Sequence, residues 1–133
     1  MLGDNKRTIA HGIVDQVYPE RHSARVVFND KDNLTSAEYP IITGFTNGNK
    51  SYMMPQIGES VICICETEDD ISGSGYIIGA IYDDKNPPKV SDINKTRIDF
   101  ADGSFIEFDK STGNLTINCT GEIKINGKKI YLN

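Results

Sequence analysis

Arg97-Ile98-Asp99-Phe100, Phe105-Ile106-Glu107-Phe108, Leu115-Thr116-Ile117-Asn118-Cys119, Glu122-Ile123-Lys124-Ile125 and Lys129-Ile130-Tyr131-Leu132 follow one another in the last third of this 133-residue chain. In each piece apolar residues sit two apart with mostly polar residues between them. That is the period of a strand with one dry and one wet face. The intervening pieces, such as Ala101-Asp102-Gly103-Ser104 and Asn126-Gly127-Lys128, are turn formers, because Asp, Asn and Gly tolerate positive φ. The spacing predicts a ladder of very short strands over 97–133. Two apolar side chains per strand make too thin a layer to offset the entropy of ordering it, and a ladder leaves open edges. The pattern alone leaves two readings: several copies wrapping their dry faces around a shared axis, or an ordinary meander packed on the rest of the chain.

Upstream, the plentiful Gly, Asn, Asp and Ser suit short strands and many turns, and no window sustains the three-and-four apolar spacing of a helix. A first strand is expected over Ile9–Val17, with Gly12 marking a bulge or bend. The turn Tyr18–His22 and the return strand Ser23–Phe28 complete a hairpin. After the polar loop 29–33 comes a third strand, Thr35–Thr43, with Pro40 at its start or at an edge. The Gly/Asn-rich stretch 44–51 reads as mobile or partner-contacting. Val61–Cys65 is apolar enough for burial on both faces, 66–70 is an acidic loop, and Tyr76–Tyr82 is a fifth strand. The outline is a five-stranded OB-like barrel, with a compact sandwich as the alternative. The paired Pro87-Pro88 stops the sheet. The expected organisation is an arm at 1–8, the barrel at 9–89, a linker at 90–96 and the strand ladder at 97–133.

The formal net charge is −5, and Lys/Arg and Asp/Glu balance within 97–133, so the acidic excess lies wholly upstream. An acidic chain without a basic stripe is a poor binder of nucleic acid or of an anionic membrane. No apolar run could span a bilayer, and Met1–Arg7 lacks the apolar core of a signal peptide, so synthesis in the cytosol is expected. His11 and His22 could meet across the first hairpin, but no nucleophile or convincing carboxylate accompanies them. The expectation is therefore no catalytic residue and no cofactor. Cys63, Cys65 and Cys119 read as buried free thiols, since no second ligand pair exists for a metal. Glu66, Glu68, Asp69 and Asp70 lack the spacing of a calcium loop. A monomeric OB module binding oligonucleotide or oligosaccharide is the rival reading, weakened by scattered aromatics and the missing Lys/Arg groove.

Five pieces in this order carry a resemblance: Ile9-x-x-Gly12-Ile13-Val14; Met54-Pro55-x-x-Gly58-Glu59-x-Val61; Gly75-Tyr76-Ile77-Ile78-Gly79-Ala80-Ile81-Tyr82; Asn86-Pro87-Pro88; and Ala101-Asp102-Gly103-Ser104-x-Ile106-Glu107-Phe108-Asp109. Together they resemble the central spike family of contractile phage tails, known as baseplate assembly protein V, with related domains in R-type bacteriocins and type VI secretion spikes. The resemblance implies an all-β chain: an OB barrel followed by an intertwined trimeric β-helix, or β-prism, needle. It implies a non-enzymatic homotrimer held at its barrel end by a baseplate hub protein, assembled into the particle and driven through a target cell envelope. The trimer core would be Ile98, Phe100, Ile106, Phe108, Leu115, Ile117, Cys119, Ile123, Ile125, Ile130 and Leu132. The His-x-His metal tip of several relatives is missing, since no histidine follows His22. Tyr131, Leu132 and Asn133 would then contact a separate tip protein. No lysozyme domain fits between barrel and ladder.

Overall fold

Burial alternates along Thr8–Tyr18, with Ala10, Gly12 and Val14 buried while Ile9 and His11 face outward, as a strand's two-residue period requires. This strand, β1, is the spine of the first of two compact units, Met1–Pro87 and Pro88–Asn133. The computed structural model describes residues 8–66 and 73–133. The first unit continues with β2 (Ser23–Phe28), β3 (Leu34–Thr35), β4 (Tyr39–Pro40), β5 (Thr46–Asn47), β6 (Asn49–Lys50), β7 (Ser60–Cys65) and β8 (Gly75–Ala80). The second holds β9 (Lys95–Asp99), β10 (Phe105–Asp109) and β11 (Asn114–Asn118). The chain is all-β, and every strand pairing within its sheets is antiparallel.

The main sheet runs β3-β2-β1-β7-β8, with β4 also pairing with β2. β1 spans two neighbours by changing partner along its length: Thr8–Ile13 face β7, and Ile13–Tyr18 face β2. The bulge lies between Val14 and Gln16, not at Gly12. Gly12 is needed for close approach instead, since a Cβ there would sit 3.1 Å from Val26 and 3.2 Å from Phe28. The predicted third strand is broken into β3, β4 and a single parallel bridge from Ile41 to Ile77. The break has two causes. Ser36 turns inward, donating its N–H to Val26 O and accepting Val26 N–H on its hydroxyl, and Pro40 has no N–H to offer a ladder. Past Pro40 the chain leaves β2 for β8, with Ile42 N–H bonded to Ile77 O at 2.9 Å.

The core is Ala10, Val14, Ala24, Val26, Phe28, Tyr39, Val61, Cys63, Cys65 and Ile77. Each large apolar side chain buried there contributes about 1.5–3 kcal/mol. β7 is buried on one face only: Val61, Cys63 and Cys65 point inward, while Ile62 and Ile64 are half-buried on the outside. Burial, with Cys65 alongside, pushes the Cys63 thiol up to about 12. The fifth strand ends at Ala80 rather than Tyr82. Residues 44–51 form the small β5–β6 hairpin around Gly48, which has φ 75°. Of the predicted acidic loop, Glu68, Asp69 and Asp70 lie outside the described residues.

On the surface of this unit Arg21 grips Glu38 at two points, 2.8 and 3.0 Å, and the Ser23 hydroxyl donates to the same carboxylate. These bonds lower the Glu38 pKa from 4.5 to about 2. A depressed carboxyl adds stability that is complete above its unfolded value, about 4.3, and is lost as pH falls through the folded one. The melting temperature should therefore hold steady from pH 8 to 5 and fall between pH 4 and 2. Solvent screening keeps this exposed pair's share small. The drop should be shallower in Glu38→Gln, and an equal drop in both proteins would remove Glu38 from the account.

In the second unit the order is β11-β10-β9. β9 begins at Lys95, inside the stretch expected to be linker. The predicted strands at 122–125 and 129–132 are not formed: no residue beyond Asn118 is in a strand. A strand exists only by bonding a neighbour, and among the described residues those segments have none.

Candidate assembly surface

The register of β9–β11 brings the dry positions together. Ile98, Ile106 and Ile117 stand directly opposite one another across the three strands, and Thr96, Phe108 and Leu115 form the next row. Phe100, two residues after Ile98, continues the same side. The described residues of this unit leave the face largely open: Ile106 is 40% exposed and Leu115 64%. Cross-strand apolar pairs stabilise a sheet only modestly when one face stays wet, so the unit leaves a large hydrophobic surface unspent.

The other face is finished within one chain. Arg97 donates to Glu107 directly across the strands at 2.8 Å and to Asp99 at 2.9 Å. Lys95 adds a third contact, 3.7 Å from Glu107. The Arg97 guanidinium also lies 3.8 Å above the centre of the Phe105 ring, a cation–π arrangement. Hydrogen bonding to Glu107 is the leading reason that the Arg97 pKa is raised.

Turn chemistry holds the sheet's ends. Gly103 and Gly113 take positive φ, 95° and 77°. Asp102 accepts the Ser104 N–H at 3.0 Å and the Thr120 hydroxyl at 2.6 Å, while Thr120 N–H donates to Ser104 Oγ at 3.1 Å. The Asp102 carboxyl is held below its ordinary range chiefly by the Thr120 hydroxyl. This clamp ties the point where the chain leaves β11 to the β9–β10 turn. Beside it, Phe100, Ile106, Ile117, Cys119 and Ile123 line an apolar hollow of about 580 Å³.

Of the residues predicted to line a trimer axis, the sheet brings together Ile98, Phe100, Ile106, Phe108, Leu115 and Ile117. Cys119 and Ile123, beyond the last strand, reach the same side at the hollow with Phe100, Ile106 and Ile117, whereas Ile125, Ile130 and Leu132 lie on exposed, non-strand chain, with Leu132 at 92% exposure. Cys119 is exposed, contrary to the expectation of three buried thiols. The predicted tip residues Tyr131, Leu132 and Asn133 are likewise exposed. Sequence reading missed the Arg97 network and the Asp102–Thr120 clamp. Both join positions ten or more residues apart, and only the alternation of Arg97 and Glu107 with the dry residues hinted at the first.

Asp83 accepts the Ser60 hydroxyl and the N–H groups of Lys85 and Asn86, which hold its carboxyl below the usual range. His11 is exposed on β1, opposite Ile62, whereas His22 ends the β1–β2 turn with Nδ1 3.2 Å from Ile41 O and its ring edge-on to Tyr52. The two do not form a pair. Among the described residues no group of three or more His, Cys, Asp or Glu is placed to hold a metal ion, and no helix is long and apolar enough to cross a membrane. Comparison with protein-family models and with curated proteins finds no match to this sequence.

Proposed function

We propose that this chain is the central spike of a contractile-tail baseplate, a homotrimer of phage-tail or tailocin type that pierces a target cell envelope without catalysing a reaction. One observation carries the reading: the second unit completes its polar face internally but leaves an aligned apolar face uncovered and an alternating apolar tail without strand partners. Three copies meeting on that face would bury it, and the tails of neighbouring copies would supply one another's strands. A closed arrangement with few free edges resists unfolding under load. In the first unit, β4 pairs with β2, and Ile41 immediately after it bridges to β8. This supports reading it as an OB-type barrel, the part that a baseplate hub protein would hold. A separate tip protein would cap Tyr131, Leu132 and Asn133, and a particle map showing these residues closed on themselves with nothing bound would count against that cap.

Mass in solution tests the trimer: light scattering should give three times the chain mass, and a monomer would overturn the proposal. Thiol chemistry gives a second readout. Cys63 and Cys65 are buried, so a folded monomer would expose one fast-reacting thiol, Cys119. In the trimer all three thiols per chain should react slowly until the protein is unfolded.

A further inference from the structure

Three pairs in the chain place an Asn or Asp side chain directly before glycine: Asn47-Gly48, Asp102-Gly103 and Asn126-Gly127. Such a pair can close on itself, because the glycine nitrogen has no neighbouring Cβ to hinder its approach to the side-chain carbonyl carbon. The fold treats the three differently. At Asp102-Gly103 both reacting groups are engaged: the carboxylate accepts Ser104 N–H and the Thr120 hydroxyl, and Gly103 N–H donates to Phe100 O at 3.1 Å. Asn47 is held in β5, paired across Gly48 with Asn49, and extended strand backbone turns the following nitrogen away from the side chain. Asn126 and Gly127 are exposed, lie outside any strand and make no hydrogen bond among the described residues.

We infer that Asn126 is a site of spontaneous covalent modification, converted without an enzyme to isoaspartate and aspartate. The Gly127 nitrogen attacks Asn126 Cγ, and its proton leaves with the side-chain amide as ammonia, closing a five-membered imide. Water then breaks either imide C–N bond. Opening at Cγ gives aspartate, and opening at the main-chain carbonyl gives isoaspartate. The sum is one water consumed and one ammonia released, with no oxidant or reductant. In isoaspartate the main chain runs through the side-chain carbons and is one atom longer. The alternation that links Ile123 and Ile125 to Ile130 and Leu132 is then interrupted, and a new carboxylate stands near Lys128 and Lys129. Asn126 and Gly127 are polar turn residues outside the apolar set assigned to the trimer axis, and the reaction needs no second copy.

The test uses the purified full-length chain, held in warm, mildly alkaline buffer and sampled over weeks. Each sample is cleaved after Glu122, and the peptide 123–133 is weighed and labelled with an isoaspartate-specific methyltransferase. This peptide should gain one mass unit and take up the label several times faster than the peptide containing Asn47. The peptide containing Asp102 should take up no label. In Asn126→Gln the change in 123–133 should be lost, while the slower change at Asn47 continues. A peptide 123–133 that stays unmodified would overturn the assignment. So would modification of Asn47 at an equal or greater rate, or a mass gain in 123–133 that persists in Asn126→Gln and therefore belongs to Asn133. None of these outcomes bears on the oligomeric state, which light scattering reads separately.

Discussion

Ile117→Asp should dissociate the protein into monomers while leaving the first unit folded. In the single chain Ile117 is 52% exposed, so an aspartate there would meet water and cost no more than about 0.5 kcal/mol, as for an ordinary surface substitution. In the trimer the same change gathers three carboxylates around one axis, at several kcal/mol each or with forced protonation. The two pictures therefore differ by orders of magnitude in the population of trimer. Asn118→Asp, one residue on and facing the Arg97 side of the sheet, is the control and should keep the trimeric mass. If Ile117→Asp also kept the full mass and heat resistance, the dry face of β9–β11 could not be the trimer contact.

Gly75→Ala should be the most damaging small substitution in the first unit. A Cβ at residue 75 would stand 2.6 Å from Tyr39 Cζ and 2.9 Å from the Ile64 carbonyl oxygen. Neither can yield easily: Tyr39 is wholly buried against Phe28 and hydrogen-bonds to Cys65 Sγ, and the carbonyl belongs to β7. Overpacking of this kind costs about 3 kcal/mol, a large fraction of a small domain's stability. Urea unfolding followed by tyrosine fluorescence should show the midpoint falling with its slope unchanged. Gly79→Ala is the counterpart, since a Cβ there meets nothing within 4 Å. Equal stability losses in the two variants would mean that the cost is backbone freedom rather than collision.

These two glycines show the limit of reading strands from sequence. Both stand in the apolar run Gly75–Tyr82, and nothing local separates them. The difference is made by Tyr39, which lies far away in sequence and enters beside Gly75 through β4. The predicted third strand failed for a related reason. Its residues are strand-like, but two partners, β2 and β8, compete for them, and Pro40 marks the hand-over. The ladder was legible as far as Asn118 because alternation and the turn residues Gly103 and Gly113 act within a few residues. Beyond Asn118 the same alternation forms no strand.

The period of two, the turn positions and the division near Pro87 were determined by the sequence itself, because they express backbone geometry and side-chain placement within single short segments. Tertiary structure alone decided that β1 is shared between β2 and β7, that β7 buries one face, that Gly75 must be glycine and that Arg97 closes the wet side of the last sheet. Those outcomes depend on which distant segment arrives as neighbour, and a strand's hydrogen bonds and its dry face are both satisfied by neighbours rather than by the strand. The row Ile98, Ile106 and Ile117 is the consequence: alternation made it apolar, and the described residues of its own unit leave it 40% to 52% exposed.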